Sequence, residues 1–147
     1  MKNLIRFIAP IAIFAAVSSA EARDDILSFS IQDALASEQA KAILGTNVQF
    51  YFGDEQPKAK IKRTIGEYRE NRKTNGVGKS DLEACNWVFL STLKALRDRA
   101  KQVGGNAVVN IQSNYKNNLT SSNDTFQCGA GGLMSGVALQ GDIVVLE

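Results

Sequence analysis

Histidine is absent from the 147 residues, and cysteine occurs only twice. Without histidine, neither a Ser-His-Asp nor a Cys-His nucleophile can be assembled, and the commonest transition-metal ligand is missing. An excess of one charge is lacking too: Lys and Arg number 17, Asp and Glu 15. That balance gives no global pull toward nucleic acid or membrane. Beyond the first 22 residues no apolar run is long enough to span a bilayer, which takes about 20 residues. What remains is a chain for one small domain, with chemistry restricted to carboxylates, hydroxyls and amines.

The N-terminus carries the parts of a cleavable export signal. Lys2 and Arg6 form a positive segment, Ile8–Val17 is apolar apart from Pro10, and Ala20-Glu21-Ala22 places small residues where a signal peptidase reads. Residues 1–22 are therefore expected to be a signal peptide, with the mature domain over 23–147 in the periplasm or secreted. After cleavage no membrane span remains. In such a compartment two cysteines predict one disulfide, Cys85–Cys128.

Patterning predicts an α+β domain with a mixed or antiparallel sheet. Ile26–Ser30 is a candidate strand, and Ser30 opens a helix that ends at Gly45. Val48, Phe50 and Phe52 alternate with polar residues as in a half-buried strand. Lys60–Thr74 is polar but alternates around Ile61 and Ile65, as in a long exposed strand. Ser80 with Glu83 forms a capping box, and Leu82, Cys85, Phe89, Leu93, Leu96, Ala100 and Val103 make one stripe down a helix that Gly104-Gly105 ends. A strand follows, with Ala107, Val109, Ile111 and Tyr115 on one face. Residues 116–124 read as a polar loop, Phe126 and Cys128 share a strand face, 129–136 is glycine-rich, and Val137–Leu146 closes the chain as a strand. Packing the long helix on the sheet brings the Cys85 stripe against the Cys128 face, as a disulfide requires.

Motifs with a chemical look have plainer readings. Gly76-Val77-Gly78-Lys79-Ser80 resembles the end of a phosphate-binding loop, but the spacing needs glycine at Lys73 and a buried strand before it. Ser91-Thr92-Leu93-Lys94 matches a Ser-x-x-Lys nucleophile motif without its downstream Lys-Thr-Gly. Asp24-Asp25 and Asp54-Glu55 lack the spacing of a calcium loop. No catalytic residue, metal or cofactor is expected.

Charge is unevenly placed. Residues 58–79 carry Lys58, Lys60, Lys62, Arg63, Arg69, Arg72, Lys73 and Lys79 against Glu67 and Glu70, a net of +6, whereas residues 23–57 carry −4. Lys58, Lys60, Lys62 and Arg63, with Trp87 on the side of its helix away from the stripe, are the candidate contact surface. The plain alternative is a solvated edge strand whose lysines block aggregation.

Gly104-Gly105-Asn106-Ala107-Val108-Val109-Asn110-Ile111, after the long helix and before Cys128 and a glycine-rich closing strand, resembles the YbjQ/RcsF type of domain. Tyr51-Phe52-Gly53, Gly66-Glu67-Tyr68, Lys79-Ser80-Asp81, Ala84-Cys85-Asn86-Trp87 and 113–118 resemble small exported bacterial proteins often labelled "excinuclease ATPase subunit". The residues themselves argue against that ATPase activity. The RcsF likeness implies a module that senses or transmits envelope stress through protein contacts; the YbjQ likeness implies a heavy-metal-binding domain. The leading expectation is a non-enzymatic periplasmic module that meets an envelope protein or an anionic envelope component. Metal binding and a cryptic hydrolase are the alternatives.

Overall fold

The computed structural model describes residues 22–147, so the expected export signal lies outside the described residues except for Ala22. In chain order the elements are β1 (Asp24–Ser30), α1 (Ile31–Ala36), α2 (Glu38–Leu44), β2 (Gln49–Phe52), β3 (Ile61–Asn75), α3 (Asp81–Val103), β4 (Ala107–Tyr115), β5 (Asn118–Thr120), β6 (Thr125–Gly131) and β7 (Met134–Leu146).

The expected capping box sets the start of α3. Ser80 is extended, and its hydroxyl accepts from the Glu83 backbone N–H at 3.1 Å. Gly104 ends the helix in the left-handed region, at φ 83°, which glycine reaches without strain. Cys85, Phe89, Leu93, Leu96 and Ala100 are buried, as their spacing predicts. Leu82 is the departure at 52 % exposed. It shares an azimuth with Phe89, seven residues on, so its exposure means that the first helical turn overhangs the packed sheet.

β7 organises the seven-stranded sheet. One of its edges is paired with β3 from Ile61↔Leu146 to Asn75↔Met134. Its other edge is shared, with β6 at the beginning (Gly129↔Gly136) and β4 toward the end (Ala107↔Val144). β1 lies antiparallel on β6, β5 antiparallel on β4, and β2 parallel on β4, which makes the sheet mixed. α3 covers one face. There Phe89 stacks on Phe126 with ring centroids 4.0 Å apart, and Cys85 and Cys128, both fully buried, form the disulfide with Cα atoms 5.9 Å apart. The α+β architecture, the packed helix and the disulfide are thus as the sequence predicts.

Local differences have local causes. The helix expected over 30–45 is two helices, because Ser37 is extended (ψ 145°). Its hydroxyl donates to the Ala34 carbonyl and accepts from the Ala40 N–H, so the side chain takes over backbone bonds that a continuous helix would keep. In β4 the register against β7 shifts between Val109 and Gln112, where Asn110 adopts φ 52°. The shift moves the buried alternation: Val108 and Ile111 join the core under α3, while Ala107 joins Val144 and Leu146 in a small second cluster. The expected polar loop contains β5, reached by a two-residue turn in which Lys116 and Asn117 both have positive φ, as such hairpins require. The glycine-rich stretch is a hairpin: β6 runs to Gly131 and β7 begins at Met134, three residues before Val137. Its glycines have a packing role, since a Cβ at Gly129 would run into the Tyr115 ring.

Candidate functional site

β3 pairs with β7 alone and leaves its second edge unpaired among the described residues. The strand divides electrostatically into two halves. Toward its C-terminal end Arg69 and Arg72 have partners, while Lys73 has none among the described residues: Arg69 lies 3.3 Å from Glu67, and Arg72 lies 3.2 Å from Glu70. α3 adds Arg99, 3.7 Å from Glu70 and 6.0 Å from the centroid of the Tyr68 ring. Glu67 also accepts a 2.9 Å bond from the Gln140 side chain on β7. Both acids of the basic segment are therefore held in this half.

The other half has no such partners. Lys58, Lys60, Lys62 and Arg63 are all exposed, and none forms an ion pair among the described residues. Two register shifts against β7, between Ile61 and Arg63 and between Thr64 and Gly66, interrupt the ladder here. Ile61, Lys62, Arg63 and Thr64 are all exposed, so neither face of the strand is covered here. The main chain is anchored at this point by the Glu147 N–H, which donates to the Lys60 carbonyl at 3.0 Å. Four cations within six residues thus sit on a fixed backbone with free ammonium and guanidinium groups.

Trp87 is 42 % exposed and lines a cleft of about 300 Å³ with Gln39, Lys79 and Glu83. The cleft lies between α2 and the start of α3. It does not join the lysine cluster. α3 packs back along β3 so that Arg99 meets Tyr68 and Glu70. Trp87 lies roughly 18 Å before Arg99 along the helix axis, and Lys62 roughly 20 Å beyond Tyr68 along the strand. The candidate contact residues therefore form two separate surfaces at opposite ends of the α3–β3 layer.

The remaining motifs behave as turns and caps. In the segment 76–80, Gly78 has φ +74°, the Lys79 N–H donates to the Gly76 carbonyl at 3.2 Å, and Ser80 caps α3. The strand before it is the polar β3. Ser91 donates its hydroxyl to the Trp87 carbonyl at 3.0 Å, within its own helix. Asp24 is paired with Lys116, and Arg23 holds both Asp25 and Asp81. The bond to Asp24 raises the Lys116 pKa, and the bonds to Asp81 and Asp25 raise that of Arg23. Among the described residues no three His, Cys, Asp or Glu side chains are placed to hold a metal ion. Both cysteine sulfurs are held in the buried disulfide.

One feature of this surface has little signal in the sequence. Leu133, at the β6–β7 turn, is 72 % exposed, and Val77, at the turn before α3, is 59 % exposed. The adjacent pair Leu133-Met134 directly after two glycines was the visible hint. No helix among the described residues is long and apolar enough to cross a membrane. No family model, curated protein or solved structure matches the chain.

Proposed function

We propose that this protein is a non-enzymatic binding module of the periplasm, acting by contact with an envelope protein or an anionic envelope component. The observation that carries the reading is the cluster Lys58, Lys60, Lys62 and Arg63, exposed and without ion pairs at the free end of β3. Blocking edge-to-edge aggregation explains cations inside the strand. It does not explain Lys58 and Lys60, which precede the ladder that begins at Ile61. Four cations on a fixed backbone suit a surface of repeated negative charge, and they attract it over about 8–10 Å at physiological ionic strength. The export-type N-terminal sequence and the YbjQ/RcsF likeness support the envelope as the setting.

The test is co-sedimentation of the oxidised domain with isolated envelopes, comparing the wild type with Lys58→Glu/Lys60→Glu/Lys62→Glu/Arg63→Glu. The reading expects the quadruple variant to lose binding by about tenfold or more at low salt, and the wild-type binding to weaken as salt rises. Equal binding by the two proteins would refute it.

A further inference from the structure

Trp87 is the one tryptophan of the chain, and the core makes no use of it. It lies on the side of α3 away from the sheet, belongs to neither core cluster and stands partly in water. Glu83 lies one turn before it on α3, and Lys79 stands one turn before that, in the loop that leads into the helix. Gln39 of α2 completes the cleft that these side chains line. Its volume, about 300 Å³, is at the small end of the range of small-molecule sites, about 300–1,000 Å³.

The polar groups of the cleft are free to bond a ligand. The side chains of Gln39, Glu83 and Trp87 form no hydrogen bond among the described residues, and Lys79 donates only to the Asn75 carbonyl, at 3.2 Å. Lys79 and Glu83 line the same cleft yet form no ion pair. The site therefore presents one flat apolar face, the indole. Around it stand the Gln39 amide, which donates and accepts, the Glu83 carboxylate, which accepts, and the Lys79 ammonium and indole N–H, which donate.

These properties narrow the ligand. Trp87 is the only apolar side chain in the cleft. A lipid tail or an apolar peptide side chain would gain that one contact and cover three polar groups without bonding them. The charges of Lys79 and Glu83 offset each other, so neither an anion nor a cation is selected. What fits is a neutral molecule with one C–H face and a rim of hydroxyl or amide groups, which is a saccharide ring. Its C–H groups carry slight positive charge and lie well on the electron-rich face of an indole. Its hydroxyls both donate and accept, as the mixed rim requires.

We propose that the cleft between α2 and α3 is a saccharide-binding site, in which Trp87 is the platform for one sugar ring and Gln39, Glu83 and Lys79 bond its hydroxyls. The site is separate from the basic cluster 58–63 and stands whether or not that cluster binds the envelope.

Because the chain has a single tryptophan, its emission reports from the cleft directly. The oxidised protein is titrated with maltotriose, cellotriose and triacetylchitotriose, by fluorescence and by calorimetry. At least one is expected to shift the emission to shorter wavelength, saturably, with an affinity that salt does not change. Trp87→Ala should weaken the calorimetric affinity about tenfold or more, without lowering the melting temperature, because the side chain lies outside the core. Gln39→Ala and Glu83→Ala keep the fluorophore and should each weaken binding about three- to tenfold. Glu83→Gln keeps an acceptor and should weaken it less than Glu83→Ala. The quadruple variant of residues 58–63 should bind as the wild type does. Co-sedimentation with insoluble amylose, cellulose or chitin, whichever matches the bound trisaccharide, would bear out the proposal with a glycan polymer as the source; binding of the trisaccharide alone would bear it out with a free sugar. No emission change with any of the three, or equal binding by Trp87→Ala, overturns it. A shift produced by solubilised envelope protein and by no saccharide also overturns it and makes the cleft a protein contact.

Discussion

The sheet under α3 and the free half of β3 share one ladder with β7, yet they hold opposite kinds of residue. Val137, Leu139 and Ile143 of β7 are closed over by α3, and each is at most 1 % exposed. One strand away, Lys62 and Arg63 face water with no charged partner among the described residues. Under α3 the residue type follows from burial, because apolar area leaves water and every polar group must be bonded. At the edge no packing demand selects cations, and protection against edge pairing accounts for Lys62 and Arg63 but not for Lys58 and Lys60, which precede the strand. The C-terminal half of β3 is the control within the same strand: there Glu67 and Glu70 pair with Arg69 and Arg72, and Glu70 also meets Arg99 of α3.

Substitutions break this contrast in graded steps. Phe89→Ala removes the ring stacked on Phe126 and should cost about 3–5 kcal/mol in chemical denaturation. Cys85→Ser/Cys128→Ser opens a 43-residue loop and should cost roughly 4 kcal/mol by the chain-entropy model, an upper figure. Arg97→Ala tests a bond that spans two elements. Its guanidinium donates to the carbonyls of Ile43 and Leu44, closing the C-terminus of α2, and its loss should cost about 1.5 kcal/mol.

Asp98 gives the smallest stability effect with a clear sign. Its bonds to Lys94 and Arg97 hold its pKa below the ordinary 3.8. A depressed carboxyl stabilises the fold above its unfolded pKa, and that stabilisation is lost as pH falls through the folded value. The carboxylate is about half exposed, so Asp98→Asn should cost only a few tenths of a kcal/mol at neutral pH and nothing in strong acid. Denaturation at the two pH values checks it. The quadruple charge reversal at 58–63 should leave stability within about 0.5 kcal/mol, which separates its effect on binding from any effect on folding.

The fold was legible where local chemistry and burial agree. Ser80, Glu83 and Gly104 bound α3 because capping is a short-range demand, and the Cys85–Cys128 bond followed from two periodicities that face each other. Ser37 escaped notice because a serine inside an amphipathic pattern looks like a polar-face residue until its hydroxyl is seen bonding Ala34 and Ala40. The bulge at Asn110 was hidden in the same way. Ala107, Val108 and Val109 are all apolar, so the run fits either alternation, and the pairing with β7 decides between them. The basic segment was visible as composition. Its division into a half with paired arginines and a free half rests on Arg69–Glu67 and Arg72–Glu70 within the strand, whereas the contacts of Arg99 and Gln140, which reach β3 from α3 and β7, have no local signal. For the same reason Trp87 and the lysines looked like one surface in sequence and prove to be two.

The most direct test of the binding reading is position-resolved photo-crosslinking in intact cells, with the photoreactive residue placed in turn at positions 60, 62, 87 and 101. Adducts at 60 and 62 that exceed those at 101 and vanish when Lys58 and Arg63 are reversed to Glu would bear out contact through the free edge of β3. Yields at 60 and 62 no greater than at 101, an exposed position on the last turn of α3, would contradict it.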